Sequence, residues 1–264
     1  VVTQAPLRPV VAAAAHTRSM QHLAACNQAF AARQYDAAIT ACKAATQAWP
    51  GNHLAWYVGA SAHMAKNEWP EAEAETEAAV TRRPDQAMYQ LYAGIARYEA
   101  ARAQNDPAQN DPAQPKLEAA RDALLRAAKL APSLWRAHFY LGRVYRDLDD
   151  ARHAAEQFAQ TIETHPTYRF GYLALGELCR RWGYHDAAIA IAELGVQHVA
   201  ADEAGELVFD AASARLARGQ RALHQGDVAS AKRDLDDVMA QTEPRVAALR
   251  PLAAQLLDQI AHKR

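Results

Sequence analysis

Apolar residues in this chain recur every three or four positions and seldom alternate. "WRAHFYLGRVY" (135–145) gathers its large side chains on one side of a helix, and "ARHAAEQFAQTI" (151–162) does so again after the polar turn "RDLDD". That is the 3.6-residue period of an amphipathic helix, not the period of two of a strand. The pattern breaks at prolines. Pro50 and Pro84 stand 34 residues apart, as do Pro132 and Pro166, and each closes a helical run. Ala38 and Ala72 precede the first two by 12 residues; Ala120 and Ala154 precede the second two by the same step. Ala188 continues the series 34 after Ala154, and Leu141-Gly142 returns as Leu175-Gly176. The predicted unit is two helices and a tight turn, repeated.

Two steps are long. Pro84 to Pro132 is 48 residues, an excess of 14, and the excess contains the near-duplication "AQNDPAQNDPAQP" (103–115). Asn-Asp-Pro favours turns over continued helix. The landmarks resume in order after it, so it predicts a mobile loop at the turn inside one repeat, not a domain linker. Ala188 to Ala231 is 43 residues, which predicts a lengthened helix or an extra turn near 201–211. Units are expected near 19–52, 53–86, 87–134, 135–168, 169–202 and 212–245, an array over 17–245. Residues 1–16, with Pro6 and Pro9, read as a loose leader. Residues 244–264 read as one helix capping the exposed end of the array and kinked at Pro251.

A 34-residue helical pair with an aromatic, Leu-Gly, Tyr, Ala, Phe and Pro in order resembles the tetratricopeptide repeat. The fourth unit carries it most fully, in Leu141, Gly142, Tyr145, Ala154, Phe158 and Pro166. The resemblance implies an all-α, right-handed superhelix of about six hairpins plus the capping helix. Small residues at Ala60, Gly94, Gly142 and Gly176 are expected to let paired helices approach closely.

It also implies protein–protein binding, as an adaptor or scaffold. A peptide- or ligand-sensing regulator and a secretion-type chaperone are the alternatives. In such arrays the first helix of each repeat lines the concave face. That expectation marks Tyr57, Met88, Leu91, Tyr92, Tyr98, Arg136, Phe139, Tyr140, Arg143, Arg146, Phe170 and Arg180 as a groove, apolar and aromatic first, then aromatic and basic. Tyr and Arg are favoured anchors because they join large area to hydrogen bonding or planar charge. The expected ligand is an extended or helical segment, apolar with an acidic end. Relatives that clamp acidic chaperone tails use Lys, Asn and Arg; the matching positions here are Leu23, Asn27, Val58, Met88 and Tyr92, and Asn27 alone fits.

Charge narrows the partners. The chain has 264 residues with 29 Lys and Arg against 30 Asp and Glu, a net charge of −1. Nucleic acid as partner would want a basic excess on one face, so a protein or peptide is expected, with self-association through terminal repeats left open. Eleven histidines are scattered without a ligand pair such as HExxH, and a Gly-rich phosphate loop and GxSxG are missing. The reading is therefore no enzyme, no metal and no cofactor. His22 and His138 stand where the repeat often carries Trp and read as packing. Glu71, Glu73, Glu75 and Glu77 on one helix read as a solvated face. Cys26 and Cys42 each lie eight residues from Gln34, the expected turn centre, so antiparallel helices bring them level. Buried free thiols are the favoured reading, and a disulfide, which needs Cα atoms roughly 4.4–6.8 Å apart, is the alternative. No apolar run reaches the roughly 18 residues of a membrane span. The compartment is left between cytoplasm and, with an upstream signal or anchor removed, periplasm or membrane surface.

Overall fold

The computed structural model describes residues 7–103 and 113–262. Among them are thirteen α-helices: α1 (Leu7–Ala31), α2 (Tyr35–Ala48), α3 (His53–Ala65), α4 (Trp69–Arg82), α5 (Ala87–Ala103), α6 (Ala113–Leu130), α7 (Trp135–Asp147), α8 (Ala151–Thr164), α9 (Arg169–Arg181), α10 (His185–His198), α11 (Gly205–His224), α12 (Val228–Ala240) and α13 (Arg250–His262). The fold is an all-α helical repeat. Its contacts divide into two compact units, residues 1–149 and 150–264, with the boundary in the turn of the fourth repeat.

The repeat is set by two recurring local devices. The first is the turn inside each pair. Arg33, Asn67, Asp149, Gly183 and Gly226 all have positive φ, between 58° and 81°. Each follows the last turn of a first helix and aims the chain back along it. In the third repeat the corresponding residue, Ala101, is still helical, and α5 runs on to Ala103. The loop expected over 103–115 falls largely on residues 104–112, which lie outside the described residues.

The second device closes the turns between pairs. A side chain six residues after each proline donates to that proline's carbonyl: Trp56 indole to Pro50 at 3.0 Å, Gln90 amide to Pro84 at 3.0 Å, His138 Nε2 to Pro132 at 2.9 Å and Tyr172 hydroxyl to Pro166 at 2.8 Å. These carbonyls end a helix and have no intrahelical partner. Any donor of the right reach therefore serves, which is why Trp, Gln, His and Tyr all occupy the place. His138 is fixed by this bond, whereas His22 is exposed and does not pack as expected.

In the first unit, Ser19 donates to the Ala45 carbonyl at 2.7 Å and accepts from Asn52 at 2.8 Å, while Asn52 caps α3 by accepting the Ala55 N–H. Leu91, Tyr98, Leu124 and Leu141 are fully buried between α5, α6 and α7, each worth roughly 1.5–3 kcal/mol relative to exposure. Gly94 is needed here: a Cβ would lie 2.5 Å from Leu124. In the second unit, Ala212, Leu235, Val238, Val246 and Ala253 form the main core. Gly176 has nothing within 4 Å of where a Cβ would stand, so close helix approach is not its reason.

Three further expectations are corrected, and a fourth holds. The leader is helical from Leu7, because Pro9 sits in the first turn, where its missing N–H has no acceptor anyway, and Ala12–Ala15 propagate the helix. The final helix is not one kinked rod. A 3₁₀ turn (Pro244–Ala248) comes first, and Pro251 then starts α13 rather than bending it. The 43-residue step is absorbed as expected, by turns at 201–204 and by α11, 20 residues long. The Glu71–Glu77 face is not simply solvated. Glu73 and Glu77 pair with Arg97, and Glu75 turns inward against Gly59, with Oε1 3.8 Å from His63 Nε2 and Oε2 buried without a partner. Burial raises the Glu75 carboxyl to about 7.

Candidate functional site

The first helices of successive pairs in the first unit, α1, α3, α5 and α7, are neighbours in that order. The repeat step places Met20, Leu54, Met88 and Arg136 at one equivalent position on them. Met20, Leu54 and Met88 are 42, 43 and 38 % exposed. Beside this ridge runs a line of rings. Tyr57 lies 4.9 Å from Tyr89 and 5.0 Å from Tyr92, and the Arg136 guanidinium sits 5.9 Å over Tyr92. Phe139 and Tyr140 follow at 5.8 Å from each other, and Tyr140 is 6.1 Å from Tyr98. Tyr57, Tyr92, Phe139 and Tyr140 keep part of their surface open.

The charges on this face differ in one respect. Arg143 lies over Tyr98 and Tyr140 and is neutralised by Glu99 at 3.1 Å. Arg146 pairs with Asp147 at 3.0 Å. Arg136, half-buried, pairs with no carboxylate among the described residues. It lies over the Tyr92 ring instead, and its positive field reaches both Tyr57 and Tyr140. Burial, reinforced by Tyr92, holds the Tyr57 phenol well above its ordinary range, and burial raises Tyr140. These phenols stay protonated as hydrogen-bond donors. At the edge, His53 Nδ1 is 2.7 Å from the Tyr89 hydroxyl, and burial, with Arg83 nearby, lowers the His53 pKa.

Of the residues named from sequence, Tyr57, Met88, Tyr92, Arg136, Phe139, Tyr140, Arg143 and Arg146 come together on or beside this face. Leu91 and Tyr98 do not belong to it. Both are fully buried in the α5–α6–α7 core, and the Tyr98 hydroxyl donates to Asp147 at 2.7 Å. The first helix of the third pair has core on most sides, so its apolar stripe is wider than the exposed ridge. Met20, Tyr89 and Glu99 were missed. Met20 could have been found by stepping back 34 residues from Leu54.

Phe170 and Arg180 lie in the second unit. Phe170 is exposed and covered on one side by Arg169 at 4.5 Å. Arg180 is paired with Asp210 at 2.5 Å. Three arginines around them already have carboxylates, Arg169 in Glu203 and Glu206, Arg215 in Glu193 and Asp237, and Arg218 in Asp186 and Asp234, while Arg181 is exposed without an ion pair among the described residues and Arg221 bonds the Gly183 carbonyl. Burial raises the Asp210 carboxyl although Arg180 opposes the shift.

Cys26 and Cys42 meet across the α1–α2 pair with Cα atoms 5.2 Å apart and are joined as a disulfide, in place of the free thiols favoured from sequence. A close antiparallel pair brings their Cα atoms within bridging range. Two open cavities have mixed polar linings, one of about 710 Å³ beside Arg102 and Asp147 and one of about 570 Å³ beside His185 and Arg221. No helix among the described residues is long and apolar enough to cross a membrane.

Residues 29–95 match the family model of the tetratricopeptide repeat. No curated protein matches the chain. Among solved structures, a MamA protein is similar at 20% identity and TM-score 0.59, over 69% of this chain and 91% of that one. PilF of Pseudomonas aeruginosa is similar at 16% identity and TM-score 0.59, over 90% of this chain and 99% of that one. YrrB, described as a TPR protein with an unusual peptide-binding site, is similar at 15% identity and TM-score 0.56, over 83% of this chain and 97% of that one. At these identities the likeness is one of fold.

Proposed function

We propose that this tetratricopeptide-type helical-repeat protein is a binding scaffold that takes an extended or helical segment of a protein partner along α3, α5 and α7. The observation that carries the reading is the continuous face on these helices: Leu54 and Met88 about two-fifths exposed, flanked by partly open Tyr57, Tyr92, Phe139 and Tyr140. Rings held by their neighbours bring large contact area with little rotamer entropy left to lose. Thioether side chains adapt to varied apolar partners. The ridge offers area rather than a deep pocket, as suits a chain segment better than a small molecule. Arg136 gives the face a single site for acidic character in the partner. In this reading the molecule organises other proteins and performs no chemistry itself.

The test is a selection of random dodecapeptides on the intact protein, followed by affinity measurement with Met88→Asp/Tyr92→Ala. Selected peptides should lose about tenfold or more in affinity, with circular dichroism showing an unchanged helical fold. Equal affinities for both proteins would place the binding surface elsewhere and end the proposal.

A further inference from the structure

We infer that Arg136 is a socket for a side-chain carboxylate, and that the partner is a polyproline-II-like segment carrying apolar residues at every third position before that acid. This rests on the binding face just described and specifies its ligand.

The charge argument comes first. The neighbouring arginines on this face, Arg143 and Arg146, already have Glu99 and Asp147 as partners. A ligand carboxylate approaching them would compete with an existing pair. Arg136 has no such pair among the described residues; it sits 5.9 Å over the Tyr92 ring, and its field reaches the Tyr57 and Tyr140 phenols. A partly desolvated guanidinium without a counter-charge is costly, and an incoming carboxylate relieves that cost while receiving two parallel N–H donors. Phenol hydroxyls supply further donors to the same oxygens. A chain-terminal carboxylate is typically captured by free backbone N–H groups. At Arg136 the flanking N–H groups are taken, that of Trp135 by the Ser133 carbonyl and that of Ala137 by the Leu134 carbonyl, so no run of successive free N–H groups is offered and a side-chain acid is the better fit.

The spacing argument is independent of charge. Met20, Leu54, Met88 and Arg136 repeat at one position on α1, α3, α5 and α7. Packed helices lie roughly 8–10 Å apart. A polyproline II segment rises about 3.1 Å per residue and has three residues per turn. Its positions i, i+3 and i+6 therefore face one way and advance by about 9 Å at each step. A β-strand would turn alternate side chains away at a three-residue spacing. Polyproline II segments also dock readily on aromatic-lined grooves with little ordering cost. The ligand matched to the ridge is three apolar residues at three-residue spacing, against Met20, Leu54 and Met88, and then Asp or Glu at Arg136.

The experiment uses acetylated, amidated decapeptides with prolines as spacers. One carries Leu at positions 1, 4 and 7 and Glu at 10; its reverse carries Glu at 1 and Leu at 4, 7 and 10, and the tighter binder is carried forward. Fluorescence anisotropy is read with the intact protein. Replacing Glu by Gln should weaken binding about tenfold, and Arg136→Gln should bind both peptides alike at the weaker level. Moving Leu to every second position should also weaken binding about tenfold. If the Glu and Gln peptides bind the native protein equally, the socket is wrong while the apolar ridge stands. If spacing makes no difference, the polyproline II register is wrong. If neither peptide binds although selected dodecapeptides do, the ligand assignment fails and the binding face survives. If those also ignore Met88→Asp/Tyr92→Ala, the face itself is wrong.

Discussion

The first helices of the repeats carry opposite chemistry in the two units. In residues 1–149 they present rings, thioethers and, among the rings, Arg136 without a carboxylate among the described residues; in residues 150–264 they present Arg169, Arg180, Arg215 and Arg218, each matched to a carboxylate. Both faces contain Arg beside aromatic residues, so composition alone makes them look alike. The difference lies in what each charge has been given inside the fold. A paired ion must lose its partner before a ligand can use it, and desolvating the pair returns little. A lone guanidinium among phenols has its interaction still to make. On the proposed reading, binding capacity belongs to the first unit and polar stabilisation to the second.

That assignment breaks most visibly at Arg218. Its guanidinium holds Asp234 through two bonds, 2.8 Å from Nε and 2.6 Å from Nη2, and the Asp234 side chain is 6 % exposed. Arg218→Ala leaves a buried carboxylate alone and should cost about 3–5 kcal/mol. Hydrogen exchange in α11 and α12 should accelerate accordingly. Arg136→Ala, by contrast, removes no ion pair and should shift stability by about 0.5 kcal/mol or less. If the two substitutions destabilise equally, the two faces do not differ as argued.

The next effect belongs to the first unit. Cys26 and Cys42, 16 residues apart in sequence, close a short loop in the unfolded chain. The double change to Ala should lower stability by about 3 kcal/mol, chiefly by freeing the unfolded state. Melting of the protein with and without reductant checks this, and the double variant should not respond to reductant.

A pH effect of about 2 kcal/mol should follow from Glu75. The charged group against it is His63 from α3; on its own helix Glu71 is four residues away, while Arg97 of α5 is engaged by Glu73 and Glu77. Burial raises this carboxyl from 4.5 to about 7. Between those values the unfolded chain releases the proton and the folded chain keeps it. Stability is therefore greatest at the acid end of the window and falls as pH rises toward 7. Partial solvent access reduces the full linkage value to about 2 kcal/mol. Urea unfolding at pH 5 and pH 8 should show the fall, and Glu75→Gln should abolish most of it.

The repeat itself was legible because prolines, small residues and apolar stripes recur at a fixed step. Which side of a first helix stays open was less so. Leu91 and Met88 are three residues apart on α5, share the apolar stripe, and end fully buried and 38 % exposed. The deciding neighbours, α6 and α7, lie beyond an insertion. Arg143 and Arg136 are equally alike in sequence. What separates them is Glu99, 44 residues before Arg143, and no local pattern reports a partner at that distance. The proline-carbonyl donors were hidden for another reason: the place is filled by Trp, Gln, His and Tyr, which share a donor and a reach but no residue type.

The smallest effect separates the units again, at their turns. The left-handed turn position is held by Arg33, Asn67 and Asp149 in the first unit and by Gly183 and Gly226 in the second. A non-glycine residue there crowds its own Cβ against the carbonyl; Asn and Asp tolerate this better than Arg because their short polar side chains bond locally. Arg33 is thus the residue with most to gain. Arg33→Gly should stabilise by up to about 1 kcal/mol, the relieved strain outweighing the extra freedom of glycine when unfolded. Asn67→Gly should be close to neutral. In the second unit the sign reverses. Gly183→Ala would add strain at φ 74° and bring a Cβ against the Arg221 guanidinium, which bonds the Gly183 carbonyl at 2.9 Å. A loss of about 1–2 kcal/mol is expected. Thermal melts of the three variants rank the turns, and a destabilised Arg33→Gly would show that the Arg33 side chain, not its backbone, governs that turn.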